Sequence, residues 1–260
     1  QNGSLFNPAL VAPDSAELYV YGSMMLTDSL DFNFLGDIYF DQYNEPGDLP
    51  DTIYSRGNWF RGDVYLQGIG DEIVLADSMQ LVDSMNNILY HHHGSFDLQG
   101  HKLRTGGYHS ARNSQRTLNM ENAIVSVHHN PGRAWWINGQ NFELLAENST
   151  LINRSNGGSI ITENGDLFQY NNIIVEGSGD SIANFNNTVQ YNVVNLIGTV
   201  NPLMGNFIAD KVLINGQSSA MFGQSETNVV IINGNNGSIN NQHEINRCIV
   251  NKKAKISGNN

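Results

Sequence analysis

The side chains that could do chemistry fall into four groups. Tyr90-His-His-His-Gly94, with His101 and His109 close behind, offers imidazole, the commonest transition-metal ligand. On a strand His91 and His93 share a face while His92 points away, which makes His91 and His93 the candidate ligands. Neither a cysteine nor a carboxylate at ligand spacing completes a metal set. His128-His-Asn-Pro-Gly-Arg-Ala-Trp-Trp136 is the most varied loop. Its Trp135, Trp136, His129 and Arg133 are candidates for a glycan site, an aromatic platform with a polar rim. Alternation along a strand also sends the two tryptophans to opposite faces, one to the core and one to cover a rung. Asp28, Asp31, Asp37, Asp41, Glu45 and Asp48 offer hard oxygens of the kind calcium takes, but no EF-hand loop is present. A solvated acidic face explains them better, so no cofactor is expected. Asp180 is the remaining candidate for catalysis. An inverting glycosidase needs two carboxylates ~6.5–9.5 Å apart, and Asp166 serves only if it lies one rung below.

The elements that must position these groups are written most plainly in residues 168–252. Tyr170-Asn-Asn-Ile-Ile-Val-Glu-Gly177 is followed by Tyr191-Asn-Val-Val-Asn-Leu-Ile-Gly198 and Ala209-Asp-Lys-Val-Leu-Ile-Asn-Gly216. Thr227-Asn-Val-Val-Ile-Ile-Asn-Gly234 and Ile245-Asn-Arg-Cys-Ile-Val-Asn-Lys252 complete the series. The copies are offset by about 18–21 residues, a solenoid period. The apolar columns are Ile173, Val194, Val212, Val230, Cys248 and Val175, Leu196, Ile214, Ile232, Val250. They lie two apart on one face of a strand. A further inward column, Ile182, Leu203, Met221, Ile239, follows each Gly. Stacking these strands predicts a single-stranded parallel β-helix, all-β and right-handed, with two inward strands per rung and rungs of about 18–26 residues. The column Asn171, Asn192, Asp210, Asn228, Asn246 predicts a side-chain amide ladder. Gly at each strand end predicts corners with φ > 0.

Residues 1–95 repeat in a looser form. Phe34-Leu-Gly-Asp-Ile-Tyr-Phe40 is echoed by Phe60-Arg-Gly-Asp-Val-Tyr-Leu66, a shift of about 26 residues. They are expected to be a β-rich segment, early rungs or a cap, with 96–260 as the β-helix proper.

Bulk composition narrows the function classes. The chain of 260 residues carries net charge −12, which argues against sequence-independent nucleic-acid binding. No apolar run approaches the ~18 residues of a membrane span. The single cysteine, Cys248, excludes an intramolecular disulfide framework and is expected to be a buried small hydrophobe. The opening Gln1-Asn-Gly-Ser and the close after a strand predict a processed piece of a longer chain.

Three resemblances bear on function. Gly177-Ser-Gly-Asp-Ser-Ile-Ala-Asn184 is similar to a segment of the pectin-degrading β-helix hydrolases. Those carry an Asp pair, a Gly-His-Gly and an Arg-x-Lys; here Asp180 stands alone and the other two motifs are absent. That likeness implies a polysaccharide hydrolase or lyase as the alternative function. Asp-(Ser/Thr)-aliphatic or -small triplets resemble the O-glycosylation signal of exported Bacteroidetes proteins, implying acceptors at Ser15, Ser29, Thr52, Ser78, Ser84 and Ser181. Asp-Ser turn chemistry accounts for the same triplets. The repeat style of residues 96–260, as in Phe168-Gln-Tyr-Asn-Asn-Ile-Ile-Val, resembles the secreted β-helical surface proteins and adhesins of that phylum, including gliding-motility proteins exported by the type IX route. It implies an extracellular or cell-surface place, a polysaccharide or other surface ligand as partner, and adhesion or scaffolding rather than catalysis. A phage or viral fibre is a further alternative, without the coiled-coil signature of a trimer.

Overall fold

The computed structural model describes residues 9–45, 47–81, 87–165, 168–240 and 243–257, and every regular element among them is a β-strand. The strands pair in parallel and stack as a solenoid of about 11 turns. Through residue 145 the turns are built on three faces, not the two inward strands expected from the repeat.

On the first face β1 (Ala9–Ala12) pairs with β4 (Asp31–Phe34) as a two-stranded sheet, and the long first sheet follows with β7 (Trp59–Phe60), β10 (Met79–Leu81), β13 (Lys102–Thr105), β16 (Ile124–Val127) and β19 (Thr150–Asn153). It continues through the later halves of β21 (Phe168–Val175), β22 (Ser181–Leu196), β23 (Pro202–Ile214), β25 (Gln224–Ile232) and β27 (His243–Val250). The second sheet starts with β2 (Glu17–Val20), β5 (Asp37–Phe40), β8 (Val64–Leu66), β11 (Ile88–His91), β14 (Gly107–Ser110), β17 (Gly132–Asn138) and β20 (Gly158–Glu163). The starts of β22 and β23 extend it to β24 (Ala220–Met221), β26 (Gly237–Asn240) and β28 (Ala254–Ser257). The third holds β3 (Met24–Met25), β6 (Asp51–Tyr54), β9 (Glu72–Leu75), β12 (Gly94–Asp97), β15 (Arg116–Asn119) and β18 (Phe142–Leu145). The second-sheet ladder crosses residue 95 without interruption, Val64 pairing Leu89 and Leu89 pairing Tyr108.

The repeat columns are where alternation put them: Ile173, Val194, Val212 and Val230 stack in register in the core, as do Val175, Leu196, Ile214 and Ile232. The last members differ. Cys248 and Val250 are exposed, because β27 is the last described strand of its sheet and no rung covers their inward side. The Asn column forms its ladder on the outside. Asn192 donates to Asn171 at 2.9 Å and Asn228 to Asp210 at 3.0 Å. A second ladder, Asn251 to Asn233 to Asn215 to Asn195, has 2.7 Å at each step.

The repeat glycines serve another purpose than expected. Gly177, Gly198, Gly216 and Gly234 do not have positive φ; a Cβ on Gly216 would lie 1.7 Å from the Gly198 carbonyl oxygen. They are needed for close rung-to-rung approach. The left-handed corner falls two residues later, on Gly179, Val200, Ser218 and Asn236 in successive turns. Arg116 closes another corner. It is buried, and its guanidinium donates to carbonyls of Ser110, Ser114, Asn138 and Gln140 and to Ser110 Oγ at 2.6–3.1 Å. That ties neighbouring turns together through backbone carbonyls.

Candidate functional site

The outer face of the second sheet carries one unbroken aromatic column. Strand register places Tyr19 beside Tyr39, Tyr39 beside Tyr65, Tyr65 beside Tyr90, Tyr90 beside His109, and His109 beside Trp136. Each belongs to a different strand, and each points outward because its neighbours in sequence point in. The four tyrosines stack with centroids 4.8, 4.6 and 4.7 Å apart and planes within 13°. Stacked carbons touch at about 3.5 Å, so these rings are offset; Tyr39, Tyr65 and Tyr90 are half-buried, and His92 lies obliquely against Tyr65 and Tyr90. At His109 the stacking turns edge-on, to Tyr90 at 84° and to Trp136 at 78°.

The Trp136 end gathers three of the four glycan candidates. The Arg133 guanidinium lies 3.8 Å from the indole centroid, and Arg133 Nη1 stands 3.9 Å from Glu163 Oε1. Trp136 Nε1 donates to the same carboxylate oxygen. His109 Nε2 donates to the Arg133 carbonyl at 2.5 Å, and His129 meets the His109 ring edge-on. Burial lowers the His109 pKa, so its ring is neutral at pH 7. Trp135 does not belong to this surface. It is fully buried, stacked on Tyr108 at 4.5 Å, with Nε1 donating to Tyr170 Oη at 2.9 Å. Trp136, on the opposite face of the strand, is half-buried, whereas Trp135 is hidden.

A row of carboxylates borders the column two residues upstream on the same outer face. Glu17 is in register with Asp37, and Asp37 Oδ1 accepts from the Asp63 amide at 3.1 Å. Tyr19 Oη donates to Glu17 at 3.1 Å. Burial and the neighbouring carboxylates raise the Tyr65 phenol, which stays protonated across the physiological range.

The other candidates are dispersed. His91 is buried; its Nδ1 meets Tyr108 Oη at 2.7 Å and its Nε2 the Gly94 carbonyl at 3.1 Å. Burial holds it neutral down to about 3, and neither nitrogen is left for a metal. His93 does not share its face, because β11 ends at His91. It lines a cleft of about 480 Å³ with Ile69, Glu72, Ser95, Gln115 and Thr117. Asp28, Asp31 and Asp37 sit on different sheets or corners, and among the described residues no three metal-binding side chains converge.

Asp180 is buried in a corner, where its Oδ1 accepts the Gly158 amide at 2.8 Å. Burial pushes its carboxyl up to about 7, against the pull of the Gly158 and Gly157 amides. Substrate would have no route to it. Asp166 and Ser84 lie outside the described residues. Ser15 and Ser29 are exposed, whereas Thr52, Ser78 and Ser181 are half-buried, and Ser181 Oγ bonds Ser159 Oγ at 2.7 Å.

No protein-family model, curated protein or solved structure matches the chain.

Proposed function

We propose that this chain is a non-catalytic segment of a secreted, cell-surface protein that contacts surface glycans along the outside of its second sheet. The observation that supports it best is the outward aromatic column from Tyr19 to Trp136, continuous over six strands. Partly exposed rings are costly to leave facing water unless something covers them, and aromatic rings with polar rims suit sugars. A parallel solenoid adds one identical step per turn, which makes a rigid linear track of any outward column. Catalysis is disfavoured by the burial of Asp180, whose oxygens face backbone groups of the corner.

The test is to incubate the purified chain with a panel of polysaccharides and score retention and new chain ends in the same samples. Retention without cleavage is expected, weakened several-fold in Trp136→Ala. Released oligosaccharides would overturn the non-catalytic part of the proposal. Absence of retention across the panel would overturn the contact part.

A further inference from the structure

The composition of the outer second-sheet face points to a ligand class, an inference that rests on the contact function proposed above. Each of the first three tyrosines has a carboxylate two residues before it on the same face: Glu17 with Tyr19, Asp37 with Tyr39, Asp63 with Tyr65. The Tyr19 phenol is already oriented by Glu17. The Asp37 and Asp63 side chains each accept a backbone amide of the next turn through Oδ1, at 3.1 and 2.7 Å. Those bonds, with the Tyr39 and Tyr65 phenols interacting alongside, fix the carboxylates beside the rings, and a carboxylate has about four lone-pair sites, enough to accept a further hydrogen bond. Beyond the tyrosines on the other side lie Tyr21, Asp41 and Gln67, so acidic and neutral acceptors flank the column on both edges.

We infer that this face binds a neutral, unbranched polysaccharide lying along the solenoid axis. Sugar C–H edges would rest on the exposed parts of Tyr39, Tyr65 and Tyr90, and sugar hydroxyls would donate to Asp37, Asp63 and Glu17. A polyanionic chain is selected against. Its carboxylates or sulfates would meet fixed like charges at short range, within a molecule of net charge −12. The axial direction follows from the column itself, whose five steps of ~4.8 Å give a track of about 24 Å.

Affinity electrophoresis of the whole chain through gels containing barley β-glucan, glucomannan, polygalacturonate or alginate separates the outcomes. Retardation is expected with a neutral polymer and not with the two polyanions, and it should be little changed by salt. Tyr39→Ala and Tyr65→Ala should each weaken it about tenfold, with Tyr65→Leu and the exposed Glu17→Ala as variants that spare the strand packing. Retardation by the polyanions alone, lost at high salt, would overturn the ligand class and leave the contact function standing. Retardation by a neutral polymer that none of the four variants weakens would place the contact elsewhere and overturn the inference. No retardation in any gel would overturn both.

Discussion

Asp180 and Asn201 occupy the same corner site one turn apart, Asp180 N–H donating to Asn201 Oδ1 at 3.1 Å. Asn201 Nδ2 donates to the Gly177 carbonyl at 2.9 Å. Asp180 Oδ2 lies in the corresponding place below Gly177, without a hydrogen-bond partner, and only the protonated acid has a hydrogen to donate there. Its carboxyl ionises near 3.8 when free and near 7 in the fold. Between those values the folded state holds a proton that the unfolded chain has lost. The stability this group contributes is therefore full below the lower value and is lost as pH rises through the upper one. Asp180→Asn should raise stability near pH 8 by about 1–3 kcal/mol and change little near pH 4, as read from urea midpoints. An equal effect at both pH values would show that ionisation at this site does not matter. Asp71, also pushed up to about 7 by burial and by Asp51, leaves the parent slope partly in place in the variant. Residue roles were legible in proportion to how regular their surroundings are. Alternation foretold opposite fates for Trp135 and Trp136, but burial of Asp180 required knowing how tightly the corner closes.

At the scale of the strand, the corner glycines carry the sharpest consequence. Gly216 sits over Gly198, and an added Cβ would lie 1.7 Å from a backbone oxygen that no side-chain rotation can move. Gly216→Ala is therefore expected to cost roughly 3 kcal/mol or more, by forcing two turns apart. Hydrogen exchange should rise first in β22 and β23, the strands that end just before these two glycines. A loss below ~1 kcal/mol would mean that the turns separate more easily than their stacking suggests. The same strands show why the repeat looks two-sided in sequence. In β21, Phe168 and Tyr170 point in, then Asn171 and Asn172 both lie on the outside, and Ile173 and Val175 point in again. The alternation slips by one residue at the Asn column, so a single continuous strand turns a corner there. A period-2 pattern interrupted once reads as one strand in sequence. The tyrosine column is hidden in the sequence for a different reason. The Phe34–Phe40 and Phe60–Leu66 echo contained Tyr39 and Tyr65 in true register. The unequal turn lengths on either side kept Tyr19 and Tyr90 from aligning with them.

Across the whole molecule, the turns are alike in construction and unlike in what they display. The column from Tyr19 to Trp136 with its carboxylates marks the second sheet of the N-terminal half. The Asn ladders mark the later turns, where the outside is polar and self-bonded. The fold itself was readable, since stacked columns demand parallel strands. The display was not, because outward residues are free of the packing that enforces a pattern. Tyr43 and Tyr21 are exposed by 65% and 69%, but only Tyr21 adjoins the column, so Tyr43 serves as an internal control. Hydroxyl-radical footprinting with and without a retained polysaccharide measures the contact surface directly. The expected result is protection at Tyr39, Tyr65, Tyr90 and Trp136 with Tyr43 unchanged. Protection at Tyr43, with the column as reactive as in the free chain, would contradict the assignment of this face.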